Sequence, residues 1–360
     1  MNLEELRQQI DKTDKQIVEL IAERIGLAEQ IGELKKQEKR QVHDRLREEA
    51  VIGKIKEMAH EKGLKQSDIE LIYRQIITAS KNVQETFIAF QGELGAYSEE
   101  AAINFFGADI RLRPYETLEH VFKAVERDEA QFGIVPVENS IEGSISKTYD
   151  LLLDSPLKVC GETELKVSHC LISNHGVSLD DIKKIYSHPQ ALGQCQAFIK
   201  HLNCELVPAY DTAGSVKMIK EKGIMDGAAI ASKRAAVIYN MNIINCGIED
   251  NANNVTRFFI LSKEEAPPSG NDKTSLVFAV KHRPGALYES LKQLADKNIN
   301  MTKLESRPTR QKPWVYNFYL DFEGHMLDEK VKEMLKQFEE HTIFLNVLGS
   351  YPKAVNKNKA

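Results

Sequence analysis

Most of the markers that sort a chain into a narrow class are missing here. Cysteine is scarce: five residues, at 160, 170, 195, 204 and 246, with no CxxC spacing. An odd, scattered set argues against a disulfide framework or a zinc ribbon. It predicts reduced thiols, mostly buried as small hydrophobes, in a cytoplasmic protein. His, Cys and carboxylates nowhere cluster at ligand spacing, so no metal is expected. The phosphate loop GxxxxGK[ST] and the dinucleotide turn GxGxxG are absent, which leaves ATP and NAD unsupported and no cofactor expected. No apolar run approaches the ~20 residues of a membrane span. The start, Met1-Asn-Leu-Glu-Glu-Leu-Arg7, is charged and amphipathic rather than a signal peptide. A surplus of positive charge is also lacking: 48 Lys and Arg against 53 Asp and Glu give a net charge of -5, so no global field argues for nucleic acid. What is left is ordinary globular composition, 28% charged and 42% hydrophobic, over 360 residues, a length that calls for several domains.

One stretch organises the chain, Asp250-Asn-Ala-Asn-Asn-Val-Thr-Arg-Phe-Phe-Ile-Leu261. A run of amides ends in Asn254, Val255, Thr256 and Arg257 and turns at once into an apolar strand. A strand holds polar residues at its mouth still. Thr256 offers a hydroxyl and Arg257 a fixed, always-charged fork. That pair suits a small anion that must lose a hydroxyl. The plain alternative is a polar loop capping a strand.

Residues 1–86 read as an all-α helical module. Residues 3–38 contain no Pro, and apolar residues recur at Leu6, Ile10, Ile17, Leu20, Ile21, Ala28 and Ile31. At about 100° per residue, Arg24 falls in that stripe, Lys35 about 20° from it and Arg7 about 100° off. Two cations on an apolar face are costly unless an anion meets them. Asp44, Arg47 and Glu48 share a face of a second helix from about 43. A third begins near Ser67, which with Glu70 has capping-box spacing. It carries Ser80 and Gln84 one turn apart. A coiled coil with charged flanks explains any one of these charges, but not the set.

The set Arg7, Arg24, Lys35, Asp44, Arg47, Glu48, Ser80 and Gln84 resembles the all-helical chorismate mutases. The resemblance implies an intertwined dimer whose first helix lends its early Arg to the partner's site. The family's pericyclic reaction, chorismate to prephenate, needs a compressed conformer and stabilised charge, not a base. By resemblance Arg7, Arg24 and Arg47 hold carboxylates, and Lys35 and Gln84 serve the ether oxygen. Glu48 holds the hydroxyl, and Asp44 and Ser80 complete the wall.

From Thr86 the pattern alternates between strand-like and helical runs. Strands are expected at 87–90, 132–135, 165–172, 182–186, 206–210 and 228–231. Helices are expected from about 99 and over about 117–128, 145–153, 189–202, 212–222 and 232–238. This argues for a parallel α/β sheet in two lobes, with ligands at strand ends. Polar clusters stand at those ends: Pro136-Val-Glu-Asn-Ser-Ile-Glu-Gly-Ser144, Ser187-His-Pro-Gln-Ala-Leu-Gly193 and Asp211-Thr-Ala-Gly-Ser215. The turn Gly92–Ser98 opens a helix that Ser98 can cap, a seat for a small anion. His188 could do acid–base work, but a His before Pro at a helix start is more often structural.

These motifs together with Asn254-Val-Thr-Arg-Phe258 resemble the prephenate dehydratases over nearly all of 87–262. The implied fold is two α/β lobes with the site between them, as in periplasmic binding proteins. The implied reaction removes CO2 and a hydroxyl from prephenate to give phenylpyruvate. By resemblance Thr256 serves the leaving hydroxyl by positioned donation and Arg257 grips a carboxylate. Glu138, Asn139, Ser140, Ser187, His188, Thr212 and Asn254 line the site.

Residues 266–273 read as a linker between the dehydratase-like block (87–265) and a module at 274–352, with a basic tail at 353–360. The module's order is βαββαβ, an α+β ferredoxin-like plan. Composition alone leaves a dimerising or stabilising domain equally open. Gly285-Ala286-Leu287 and Glu305-Ser306-Arg307-Pro308 resemble the effector motifs of ACT domains that sense phenylalanine. In those domains the effector sits at a dimer interface between the two motifs. Tyr288 departs from the small aliphatic residue usual there. The three modules in this order resemble the bifunctional chorismate mutase/prephenate dehydratases. The expected partners are chorismate, prephenate and L-phenylalanine, in a homodimer or homotetramer, with no nucleic acid and no membrane. A non-catalytic amino-acid-responsive regulator, or a chain keeping one activity, are the alternatives.

Overall fold

The computed structural model describes residues 2–37, 45–82, 87–108, 110–309 and 316–354. Its contacts fall into two units, Met1–Thr86 and Phe87–Ala360. The first contains three helices: α1 (Leu3–Gln37), α2 (Arg45–Glu61) and α3 (Gln66–Asn82). A reciprocal box starts α1: Asn2 Oδ1 accepts from the Glu5 N–H (2.8 Å) and Glu5 Oε2 from the Asn2 N–H (2.9 Å). The box expected at Ser67 does not form. Ser67 lies inside α3, and Glu70 turns instead to Lys56 (2.6 Å) and Arg74 (2.8 Å). Along α1 the apolar stripe stays open, with Ile10, Ile17, Leu20, Leu27 and Ile31 all exposed. No helix among the described residues is long and apolar enough to cross a membrane.

The second unit holds three sheets. The chain first lays down β1 (Phe87–Gln91), α4 (Tyr97–Phe106), β2 (Arg111–Tyr115), α5 (Leu118–Glu126), β3 (Phe132–Asn139), β4 (Gly143–Ser144), α6 (Ser146–Asp154) and β5 (Lys158–Lys166). It then crosses to a second lobe. That lobe contains β6 (Cys170–Ser173), β7 (Lys184–Ser187), α7 (Pro189–Gln194), α8 (Gln196–Ile199), β8 (Glu205–Pro208), α9 (Thr212–Lys222), β9 (Gly227–Ala231), α10 (Lys233–Ile238) and β10 (Asn242–Cys246). The strand β11 (Val255–Ser262) returns to the first lobe. Sheet orders are β2-β1-β3-β11-β5 and β10-β6-β9-β7-β8.

Two expectations need correction here. Residues 165–172 are not one strand but the end of β5, a crossover and β6, each in a different sheet. Nor are the sheets purely parallel. β1 pairs in parallel with β2 and β3, while β11 runs antiparallel to both β3 and β5. The reason is the second crossover: β11 enters from the cleft, where β3 and β5 end, so it must run against them. Its mouth, Val255 and Thr256, therefore lies beside Asn139 and Lys166 at the C-terminal ends of its neighbours.

The third sheet is antiparallel, in the order β13-β14-β12-β15. Its elements are β12 (Asp272–Ala279), α11 (Ala286–Asp296), β13 (Met301–Pro308), β14 (Tyr316–Glu323), α12 (Glu329–Glu340) and β15 (Phe344–Pro352), a βαββαβ order. It shares a core with the first lobe: Val277, Tyr319, Leu348 and Tyr351 pack among Val121, Tyr149, Val159 and Phe259. The backbones nearly touch at Gly349, where a Cβ would lie 2.1 Å from the Val159 carbonyl oxygen. Only glycine fits that approach.

The cysteines also differ from expectation. Cys170 and Cys246 form a disulfide, and Cys160, Cys195 and Cys204 are free. The pair are cross-strand partners of β6 and β10, a neighbourhood made by the register and invisible to a spacing of 76 residues.

Candidate active site

Alternation along β11 decides which side chains meet the cleft. Thr256, Phe258 and Ile260 share one face; Arg257, Phe259 and Leu261 share the other. Phe258 and Ile260 pack with Ala235, Met241 and Val216, which belong to the second lobe. Phe259 and Leu261 pack toward α5 and the third sheet. Thr256 is therefore at the cleft and Arg257 is not.

Thr256 is 8% exposed and sits in a ring of amides. Asn139 Nδ2 donates to Thr256 Oγ1 (2.9 Å) and to Asn254 Oδ1 (2.7 Å). The other end of Asn139 is fixed as well: its Oδ1 accepts from the N–H groups of Ile141 (3.0 Å) and Glu142 (3.1 Å), an Asx turn. The Thr256 oxygen thus accepts a bond, and among the described residues nothing takes its proton. The hydroxyl is oriented as a donor.

The ring continues into the second lobe. Asn254 Nδ2 donates to Gln194 Oε1 (2.9 Å), and Gln194 Nε2 donates to Glu142 (3.0 Å). That contact fixes the amide, so Gln194 Oε1 must accept from His169 Nε2 at 3.0 Å. His169 is then the Nε2–H tautomer, and its Nδ1 faces the Tyr97 hydroxyl at 2.9 Å. Tyr97 also reaches the Ser168 carbonyl (2.7 Å). Burial holds the His169 pKa below the ordinary value, against the opposing pull of Gln194 and Glu249. Gln194, His169 and Tyr97 were not singled out from the sequence. Gln194 follows the Ser187–Gly193 motif directly and Tyr97 lies inside the Gly92–Ser98 turn, but His169 is a lone residue on the crossover between β5 and β6.

Arg257 and Glu138, expected at the substrate, lie on the face of β11 and β3 opposite Thr256 and Asn139. The Arg257 guanidinium lies on the opposite face, bound to Glu162 (2.7 Å), Asp321 (2.6 Å) and the Tyr351 hydroxyl (3.0 Å). Burial opposes its charge, but Tyr351, Asp321 and Glu162 outweigh that and raise its pKa. Glu138, its cross-strand partner, is 3.7 Å from Arg257 and 3.0 Å from Lys303. Arg257 thus bridges β5 and the third sheet, and Glu138 reaches that sheet through Lys303.

The remaining residues divide similarly. Ser140 latches the loop, donating to the Asn253 carbonyl and accepting from the Val255 N–H, both at 2.9 Å. Ser187 is fully buried and donates to the Ile230 carbonyl (2.6 Å). His188 caps α7, its Nδ1 accepting from the Gln190 N–H (3.2 Å). Thr212 opens α9, which Asp211 caps, and Asp211 also accepts from the Glu93 N–H (3.1 Å). The anion seat expected at Gly92–Ser98 is closed. Ala96, not Ser98, is the cap of α4, and the Glu99 carboxylate already accepts from the Gly95 N–H. A Cβ at Gly95 would lie 2.6 Å from the Ala235 Cα.

In the helical unit Arg24 donates to Ser80 Oγ, which itself donates to the Ile76 carbonyl (2.8 Å). Arg7 is exposed, 4.0 Å from Glu4. Asp44 and Gln84, and the side chains of Lys35, Arg47 and Glu48, lie outside the described residues. In the third sheet's module Gly285 is the left-handed cap of α11 (φ 80°), Ala286 is buried and Tyr288 is exposed. Leu287 packs on that module's core. Ser306 and Pro308 on β13 are exposed. Glu305 accepts from Ser144, and Arg307 Nε is buried with no partner among the described residues. No hydrogen bond or ion pair among the described residues joins the 285–287 segment to 305–308.

The chorismate mutase type II family model matches residues 6–85 and the prephenate dehydratase model residues 88–266. A bifunctional chorismate mutase/prephenate dehydratase of Aquifex aeolicus is 38% identical over 359 residues, 98% of each chain. An arogenate dehydratase/prephenate dehydratase of Arabidopsis thaliana is 42% identical over 289 residues, 77% of this chain and 76% of its own. Among solved structures, the prephenate dehydratase of Arthrobacter aurescens in complex with L-Phe is 32% identical, with a TM-score of 0.69 over 75% of this chain and 90% of its own. The chain belongs to the bifunctional chorismate mutase/prephenate dehydratases, enzymes of phenylalanine biosynthesis whose substrates are chorismate and prephenate.

Proposed function

We propose that Thr256 is the donor to the departing hydroxyl of prephenate, held for that task by Asn139. The observation that carries this is the one-sided bonding of its oxygen, which accepts from Asn139 and keeps its proton to give. As the ring carboxylate leaves as CO2, its electron pair enters the ring and expels the hydroxyl, which Thr256 meets with a hydrogen bond. Asn254 and Gln194 extend the amide wall. The turning away of Arg257 supports this reading. A guanidinium paired to the departing carboxylate would stabilise the charge that must be lost; an amide-lined pocket does not.

Arg24, steadied by Ser80, holds a chorismate carboxylate, with Lys35, Asp44, Arg47, Glu48 and Gln84 completing that site. The exposed apolar stripe of α1 and the exposed Arg7 suit a homodimer, or a homotetramer, in which each first helix reaches the other copy's site. The 274–352 module is an ACT domain that binds L-phenylalanine and lowers dehydratase activity. The effector lies between Gly285-Ala286-Leu287 of one copy and Glu305–Pro308 of the other. The separation of these segments within one chain, and the L-Phe bound by the Arthrobacter relative, support that reading. The test follows chorismate, prephenate and phenylpyruvate over time with and without phenylalanine. Phenylpyruvate should form and should fall on adding phenylalanine. Accumulating prephenate would count against the Thr256 assignment, and indifference to phenylalanine against the sensor.

A further inference from the structure

Between the third sheet and the first lobe lies a partly buried cluster of charge that neither chemical step uses. Lys303, on β13, is 8% exposed, and its ammonium is shared by Ser144 Oγ (2.6 Å), Glu138 (3.0 Å) and Glu305 (3.4 Å). Glu305 also accepts from Ser144. Glu138 is shared in turn with Arg257, and Arg257 with Asp321 on β14 and Glu162 on β5. Lys273 closes the cluster against Glu162 at 2.8 Å. Three cations, Arg257, Lys273 and Lys303, thus face four carboxylates, Glu138, Glu162, Glu305 and Asp321. Glu138 and Glu305 keep side-chain exposures of 36% and 30%, so both carboxylates can exchange partners.

We propose that Lys303 is a positioning residue through which the third module sets the geometry of the Thr256 strand. The inference rests on the reading that Glu305 belongs to a phenylalanine site. An amino acid brings an α-ammonium, a further cation for the exposed side of Glu305. Drawn to Glu305, that ammonium releases Lys303 to Glu138, where it competes with Arg257. Glu138 and Arg257 directly precede Asn139 and follow Thr256, and they are cross-strand partners. A changed pull on that pair therefore shifts the donor and the amide that aims it. Strands transmit such shifts because each residue's two neighbours are fixed by the ladder.

Lys303→Met in the full-length chain tests this. Phenylalanine should bind within about threefold of the parent affinity by calorimetry, while most dehydratase activity survives at saturating phenylalanine. Normal inhibition of the variant would overturn the proposal. Loss of phenylalanine binding would also overturn it, placing Lys303 in the pocket and not behind it. If Lys303→Met does not fold, Ser144→Ala asks the same question, with weakened inhibition expected and full inhibition fatal. Should the parent enzyme itself ignore phenylalanine, the sensing reading fails separately. Amide exchange then decides the linkage. Lys303→Met, or Ser144→Ala in its place, should speed exchange over residues 137–145 and 255–258 but not 87–90, and an unchanged pattern would refute the link.

Discussion

The hydroxyl of Thr256 is useful because a neighbour occupies its oxygen. Removing it should leave binding and lose rate. Thr256→Ala is expected to lower dehydratase kcat by about 100- to 1,000-fold, with Thr256→Ser retaining much of it. A variant whose KM rises while kcat holds would show that Thr256 binds and does not donate. Arg257, next in the chain, has a different duty. Arg257→Met leaves Asp321 without its cation and Glu162 with Lys273 alone, and should cost about 3–5 kcal/mol in denaturant unfolding. A variant as stable as the parent, with a much higher KM for prephenate, would return Arg257 to the substrate. His169 predicts a pH effect. Its folded pKa lies below the usual 6.5 because the ring is buried, so the neutral form contributes stability above that pH, and the contribution is lost as pH falls. The parent should lose more thermal stability than His169→Gln between pH 7 and pH 5. Equal losses would mean that His169 does not carry the effect.

At the scale of elements, β11 was legible and its surroundings only in part. A polar mouth followed by Phe258–Leu261 marks a strand in any reading, and its residues are buried as expected. The two faces of that strand were not separated. Thr256 and Arg257 are adjacent, so alternation sends them to opposite faces, and only the partner sheets reveal which face meets the cleft. β6 was merged with the end of β5 into one expected strand, 165–172, and β10, with the polar Asn242 and Asn245 among its five residues, was not anticipated. The helical pattern and the βαββαβ order were readable because each element is long enough to show its period. What composition could not convey is that the third module shares its core with the first lobe. Gly349 is the point where this matters. Gly349→Ala forces a methyl against the Val159 carbonyl and should cost at least ~2 kcal/mol. Calorimetry should find the loss in the unit spanning both, and an unaltered melt would argue that β15 gives way freely.

For the molecule as a whole, the division after Thr86 separates two chemistries. Arg24→Ala should stop the loss of chorismate while added prephenate is still converted. Equal loss of both activities in a folded variant would refute two independent sites. The second lobe has its own topology within this plan. The chain leaves the first lobe after β5 and re-enters at β11, and Cys170 and Cys246, near the two crossings, have Cα atoms 4.0 Å apart. A segment whose ends meet like this is a closed excursion from the host sheet. Its ends meet, yet it is held to the host by more than the two crossings, because Phe258 and Ile260 share one core with Val216, Ala235 and Met241. The first lobe and the third module then form the continuous body of the dehydratase. The second lobe is a half of the cleft entered and left at one place, and through Gln194 and Asn254 it also helps to hold the donor at Thr256.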